Sequence, residues 1–280
     1  MQVVTTIKKM QEIAREMRRT QQTVAFVPTM GALHKGHGRL MERGKRIADI
    51  CVASSYLNPR QFTNQSDLVN YPRNPERDIE FADAHGVDYF FQPDDAQMYP
   101  PGSLTTVNVS YLSTRLEGKS RPGHFRGVCT VVLKLLNIVQ PTHLVMGYKD
   151  AQQITIIQHM INDLCIDVKL VGVPTCRDRD GMALSSRNQL LSDEEREKAL
   201  CLSRALKRVQ FLVKKQGILH SGELLQAVRS AIGNGGVELD YCEIVNKTTL
   251  EPLDHVVRGG TYVLLAARAG KVRLIDNTRI

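Results

Sequence analysis

Over residues 1–175 short β-branched apolar runs alternate with longer stretches of helical periodicity, and this alternation constrains the fold more than any other feature of the chain. The strand runs are TVAFVP (23–28), ICVASSYL (50–57), VDYFFQP (87–93), THLVMG (142–147) and DVKLVGVP (167–174). Helical patterns fill the gaps at roughly 37–48, 75–85, 125–139 and 150–164. Strand–helix–strand repetition predicts an α/β domain with a Rossmann-like, doubly wound parallel sheet. Such sheets take ligands beyond the carboxyl ends of their strands. Chemistry is therefore expected just after each strand. The N-terminal MQVVTTIKKMQEIAREMRRT reads as an amphipathic helix, with Ile7, Met10, Ile13 and Met17 at helical spacing.

The texture changes near residue 175. CRDRDGMALSSRN is polar and loop-like, and the next helix opens on a capping box, Ser192 with Glu195 three residues on. A second helix at about 221–232 is followed by LDYCEIV, TYVLLAARA and VRLIDN, separated by Gly-Gly and Ala-Gly turn signals. We expect a Rossmann-like domain over 1–175 and a smaller α+β domain over 176–280.

Composition excludes several classes. No run approaches the roughly 18 apolar residues of a membrane span, and no secretory h-region opens the chain. Both favour a cytoplasmic protein without a membrane partner. The six cysteines never form a C-x-x-C pair, which fits reduced, mostly buried thiols. A net charge of +8 asks for an anionic partner. The basic residues are spread along the chain without an RNA-binding aromatic signature, so phosphate-bearing small molecules satisfy the charge as well as nucleic acid does.

Two of the eight histidines sit in Thr29-Met-Gly-Ala-Leu-His34-Lys-Gly-His37, where the first strand run ends and a helix begins. A zinc helix motif would need H-E-x-x-H, and the glutamate and the spacing are both missing. Gly31 and Gly36 do not fit G-x-G-x-x-G. Two ordinary surface histidines, or a phosphate site, remain. The phosphate reading uses more of the surroundings. Helix N-termini attract phosphate, glycines admit close backbone approach, and imidazoles can donate to oxygens on which charge grows.

The H-x-G-H pattern resembles the signature of the nucleotidyltransferase superfamily, which includes class I aminoacyl-tRNA synthetases. More narrowly, PTMGALHKGH resembles the motif of the pantothenate synthetase (pantoate–β-alanine ligase) family. NPRQF (58–62), YPR (71–73), SRPGHFRGV (120–128), GYKDAQQ (147–153), ALSSRN (183–188) and VRLIDN (272–277) match in the same order. The resemblance implies ATP- and Mg2+-dependent joining of pantoate to β-alanine through pantoyl adenylate, releasing pyrophosphate and then AMP.

It implies site residues too. Met30, Gly31, Ala32, Leu33, His34, Lys35, Gly36 and His37 would form the ATP turn, with His34 and His37 on phosphates and His37 as proton donor. Gly147, Tyr148, Lys149 and Asp150 would bind ATP, Lys149 neutralising phosphate and Asp150 meeting ribose or a cation. Cys176 would meet adenine through its backbone. Leu184, Ser185, Ser186 and Arg187 would form a mobile phosphate loop. His34, His37, Lys149, Ser185, Ser186 and Arg187 are the catalytic candidates. Asn58, Gln61 and Gln153 would contact pantoate, and Gln61 also β-alanine. Arg121 and His124 would line the site. No protein metal site and no nucleic-acid partner are implied, because roughly 100 C-terminal residues leave little room for an RNA-recognition surface; a homodimer is. Three departures stand out: Lys35 and Tyr148 replace acids usual in the family, and Gly38 is less apolar than expected.

Overall fold

The computed structural model describes residues 1–233 and 235–280. They divide into two compact units, Met1–Tyr148 with Ile156–Pro174, and Lys149–Thr155 with Thr175–Ile280. Lys149, Asp150 and Gln153 thus group with the C-terminal residues rather than with the sheet strand that leads into them.

The first unit runs β1 (Gln2–Val4), α1 (Ile7–Arg19), β2 (Val24–Thr29), α2 (Lys35–Ile47), β3 (Ile50–Ser55), α3 (Gln65–Val69), α4 (Pro75–Ala84), β4 (Tyr89–Phe91), α5 (Asp95–Met98), α6 (Glu117–Ser120), α7 (His124–Val139) and β5 (His143–Gly147). After α8 (Ala151–Asp163), whose first residues belong to the second unit, β6 (Lys169–Val173) completes it. The sheet order is β1-β4-β3-β2-β5-β6, and every pairing is parallel. Ala25, Val27, Cys51, Ala53, Phe90 and Val145 are buried in its core. Both faces of β2 are covered, which is why VAFVPT reads as a continuous apolar run rather than an alternating one.

The extreme N-terminus departs from the helical expectation. Gln2–Val4 add an edge strand beside β4, and Thr6 caps α1 by accepting from the Lys9 N–H. From there Met10, Ala14 and Met17 form the buried stripe.

The second unit contains α9 (Asp193–Gln216), α10 (Ser221–Gly233) and an antiparallel sheet of β7 (Glu238–Asn246), β8 (Thr261–Ala269) and β9 (Val272–Arg279), in that order. The capping box at α9 is present, Ser192 Oγ accepting from Glu195 N and Glu195 Oε2 from Ser192 N. Leu206, Val209, Leu224, Val228, Val263 and Leu265 are among its buried core residues. The doubly wound parallel sheet with a smaller α+β partner is the architecture the alternation predicts.

From β2 the chain moves outward to β3 and β4, whereas β5 and β6 lie on the other side of β2. The strand order reverses between β2 and β5, and a ligand crevice is expected beyond their carboxyl ends. Residues 30–37 follow β2, and Tyr148 follows β5.

Candidate functional site

The turn after β2 is held from inside. Thr29 Oγ1 donates to Ser54 O at 2.6 Å and accepts from Gly31 N at 3.2 Å. Gly31 and Ala32 both have left-handed backbones, φ 83° and 50°. A Cβ on Gly31 would lie 2.8 Å from Ser55 Oγ and 2.9 Å from Asp78 Oδ2, so only glycine fits. The Asp78 carboxylate of α4 takes the next two amides, Ala32 N at 2.9 Å and Leu33 N at 2.7 Å. Burial pushes the Asp78 carboxyl above its usual range, with the two N–H bonds opposing that rise.

His34 then caps α2. Its Nδ1 accepts from Gly36 N at 3.1 Å, and His37 Nδ1 accepts from His34 N at 3.3 Å. The rings lie 4.1 Å apart between centroids. A ring nitrogen that accepts from an amide carries no proton, so each neutral imidazole holds its hydrogen on Nε2. The reciprocal bonds fix the tautomer of both rings as Nε2–H donors, the form a phosphate oxygen requires. Lys35 is exposed on the first turn of α2, where a cation opposes the helix dipole. Gly38 has a packing reason. A Cβ there would lie 2.4 Å from His85 Nε2, and the His85 ring is pinned by its Nδ1–H donating to Phe81 O at 2.7 Å.

Asn58 and Gln61 follow β3 on a single 3-10 turn, Pro59–Gln61. Gln61 Nε2 donates to Met30 Sδ at 2.9 Å, tying this turn to the one after β2. Asn58 Nδ2 donates to Gln61 Oε1 at 3.0 Å and to Gly127 O at 3.1 Å, and its Oδ1 accepts from Arg60 N. Asn58 is only 1% exposed, so its amide is spent inside the protein. The Gln61 carbonyl accepts from His124 Nδ1 at 2.7 Å, and Arg121 meets the same oxygen at 3.5 Å and His124 Nε2 at 3.4 Å. Gln61 is thus gripped by both ends. Gly147 closes β5, and the Tyr148 ring beyond it lies over bare backbone at Gly172 of β6, where a Cβ would be 2.3 Å from Tyr148 Cζ.

In the second unit, Lys149 Nζ lies 3.4 Å from Asp150 Oδ1, with the Lys149 side chain largely covered and that of Asp150 about half exposed. The Lys149 carbonyl accepts from Asn277 Nδ2 at 2.7 Å. The neighbouring Asp276 is 5% exposed and takes both arms of Arg177, at 2.7 and 2.8 Å. Arg177 also donates to Gly181 O and Asn277 O. The loop it anchors folds back, Leu184 N donating to Cys176 O at 2.9 Å, and Asn188 Nδ2 donates to Ala183 O. Ser185 accepts from Arg187 N at 3.3 Å and starts a 3-10 turn, Ser186–Leu190, whose Ser186 is buried. Arg196 pairs with Asp178 and Asp180 across the same loop. Gln153 is half-buried on the first turn of α8.

The expected residues therefore fall into two groups. Met30 to His37, Asn58, Gln61, Gly147 and Tyr148, with Arg121 and His124, lie in the first unit; Lys149, Asp150, Gln153, Cys176 and Leu184 to Arg187 lie in the second. Sequence reasoning gave no role to Asp78, Asp276 or Asn277. Asp78 looks like any first-turn helix acid, and VRLIDN marked the other two only as a match.

A parallel sheet with a donor-rich turn at its reversal point defines a class of α/β proteins that take ligands at that edge. The chain belongs to the pantoate–β-alanine ligase family, whose sequence profile matches residues 2–279. It is similar to the pantothenate synthetase of Pseudothermotoga lettingae, 46% identical over 99% of this chain and 98% of that one. The crystal structure of pantothenate synthetase from Thermus thermophilus superposes with a TM-score of 0.94 at 42% identity, covering 100% of this chain and 99% of that one. A pantoate–β-alanine ligase from Francisella tularensis, solved with beta-gamma ATP and β-alanine, gives 0.84 at 35% identity, covering 100% and 97%.

Proposed function

We infer that this protein condenses (R)-pantoate with β-alanine at the expense of ATP, giving pantothenate, AMP and pyrophosphate. A carboxylate is a poor acyl donor at neutral pH. Its oxygen therefore first attacks the α-phosphorus of ATP, forming pantoyl adenylate as the bond to pyrophosphate breaks. The β-alanine amine then attacks the acyl carbon, AMP leaves, and the amine loses a proton. Both steps need positioning and stabilisation of growing negative charge.

The observation that carries this reading is the pair of tautomer-locked imidazoles at the N-terminus of α2, in a chain that the family profile matches over residues 2–279. His34 and His37 donate to phosphate oxygens from Nε2, His37 delivering the proton as charge develops. Met30 to His37 cradle ATP. Lys149 neutralises phosphate charge, and Ser185, Ser186 and Arg187 grip the triphosphate. Asp150 takes the ribose hydroxyls, Gly147 and Tyr148 join it in binding ATP, Cys176 meets adenine by backbone, and Leu184 belongs to the phosphate loop. Gln61 and Gln153 bind pantoate, Gln61 serving β-alanine in the second step. Asn58 orients Gln61 rather than touching substrate, because its own amide is already used.

Mg2+ comes with the nucleotide. A cation of that kind is held chiefly by phosphates and water, and Asp150 would be the nearby carboxylate. Bound there, it would neutralise phosphate charge. No described helix is long and apolar enough to cross a membrane, and the six free thiols fit a reducing cytoplasm. A homodimer goes with the family reading, and sedimentation of the full chain reads it directly.

The test separates the half-reactions. Pyrophosphate release should require pantoate and ATP together, and AMP should follow β-alanine. Pyrophosphate release from folded protein without pantoate, or none with it, refutes the reading.

A further inference from the structure

The Asp78 carboxylate is 3% exposed, yet among the described residues no side-chain cation is bonded to it; its two oxygens face the backbone amides of Ala32 and Leu33 at 2.9 and 2.7 Å. A buried carboxylate is tolerated only when hydrogen bonds replace its water. Here they come from a turn 45 and 46 residues away in the chain, and that turn carries an unusual backbone. Ala32 has φ 50°, where an L-residue with a Cβ is disfavoured, and Gly31 beside it has φ 83°. Local sequence does not explain why Ala32 stays there. The next residues, Leu33 and His34, lead directly into the cap that locks both imidazoles.

We propose that Asp78 is a positioning residue for the ATP turn: its carboxylate clamps the Ala32 and Leu33 amides, holds Ala32 in the left-handed conformation, and so sets where His34 and His37 present their donors. The clamp also means that these two amides are not phosphate ligands, which shifts that task to the imidazoles. A strained backbone persists only where its surroundings over-determine it, and Asp78 supplies that constraint from a separate helix. The proposal rests on the reading of residues 30–37 as the ATP turn.

The experiment compares wild type, Asp78→Asn, Ala32→Gly and the double variant in pantoate-dependent pyrophosphate release, with a thermal melt of each. Asparagine keeps the shape but turns an amide donor towards one backbone N–H. Asp78→Asn should lower kcat/KM for ATP at least thirtyfold while leaving KM for β-alanine in the second step unaltered. Glycine occupies φ 50° without strain, so Ala32→Gly should restore at least tenfold of that loss. A residue that merely supports the fold would lower the melting temperature and show no such rescue. Wild-type kcat/KM in Asp78→Asn, or no recovery in a folded double variant, overturns the proposal. Should Asp78→Asn not fold, or wild type show no turnover (which would sink the ligase reading by itself), amide hydrogen exchange of the wild-type chain decides. Protection of Ala32 and Leu33 comparable to the interior of α2 supports the clamp; exchange at open-loop rates overturns it.

Discussion

Gly127 is the position where one added carbon tests the placement of Gln61 most directly. It lies on α7, and a Cβ built on it would be 2.2 Å from Arg60 O, 2.5 Å from Arg60 C and 2.7 Å from Gln61 Cα. All three atoms are backbone, so no side-chain rotation relieves the clash. Reaching ordinary contact at 3.4 Å requires the Pro59–Gln61 turn and α7 to separate by 1.2 Å along the Arg60 O direction. The Gln61 carbonyl is held from α7 by His124 at 2.7 Å, and Asn58 reaches Gly127 O at 3.1 Å, so that retreat strains the bonds holding Gln61. Overpacking costs about 1–3 kcal/mol, and alanine in a helix interior returns roughly 1 kcal/mol. The fold therefore survives with a modest loss. A binding group displaced by about 1 Å costs on the order of a hundredfold in rate. We expect Gly127→Ala to lower kcat/KM for pantoate by about that factor in pyrophosphate release, while far-ultraviolet circular dichroism stays native. A folded variant within threefold of wild type for pantoate would refute the argument that this contact places Gln61.

Other consequences are separable. Asp276→Asn leaves Arg177 with a neutral partner, and loss of a charge-assisted pair of this kind costs about 1.5–3 kcal/mol; urea unfolding should show a loss of that order, with KM for ATP raised as the 176–187 loop loosens. Cys165 is exposed and Cys176 half-exposed, whereas Cys51, Cys129, Cys201 and Cys242 are buried, so a thiol reagent at pH 8 should label two cysteines quickly and the other four only on unfolding. Burial pushes the Cys51, Cys129 and Cys242 thiols up to about 12 from 9.0. A raised folded-state value means stability that is complete below pH 9 and lost as pH climbs towards 12; the urea midpoint should fall across that window, and less steeply in Cys242→Ala. Finally, Gly172→Ala should destabilise wild type, whose Tyr148 ring fills that space, and be tolerated in Tyr148→Glu, a coupling that a double-mutant cycle measures.

Most of the strands that sequence patterning finds are those whose burial is continuous. β2, β3 and β5 carry apolar runs because the inner strands of a parallel sheet are covered on both faces, whereas β6 is an edge strand, exposed to half-buried along its length, that shows through its valines alone. The pattern fails where an element is too short to have a period. β1 is three residues at the sheet edge, and Val3-Val4 reads as the start of the helix behind it. β4 is shorter than VDYFFQP suggests, because the Asp88 carboxylate is taken by Lys45 and by Cys51 N just before the strand.

The site divides along a similar line. Histidines and a serine–arginine loop are conspicuous because their chemistry is in their own side chains, and glycines because they lack one; the spacing of all of them is local. Asp78 and Asp276 act on partners 45, 46 and 99 residues away, and Asp78 acts on backbone amides, which carry no residue identity. A chain read residue by residue has no way to show such a partner. Asn58 makes the converse point: its motif suggests a ligand, yet its donors and acceptor end on Gln61, Gly127 and Arg60. A motif records which residues a site needs without distinguishing those that touch substrate from those that aim them. The distinction becomes physical only when each polar atom's hydrogen-bonding capacity is counted: Asn58 Nδ2 spends both hydrogens, on Gln61 Oε1 and Gly127 O, whereas Gln61 Nε2 spends one on Met30 Sδ and keeps the other to offer.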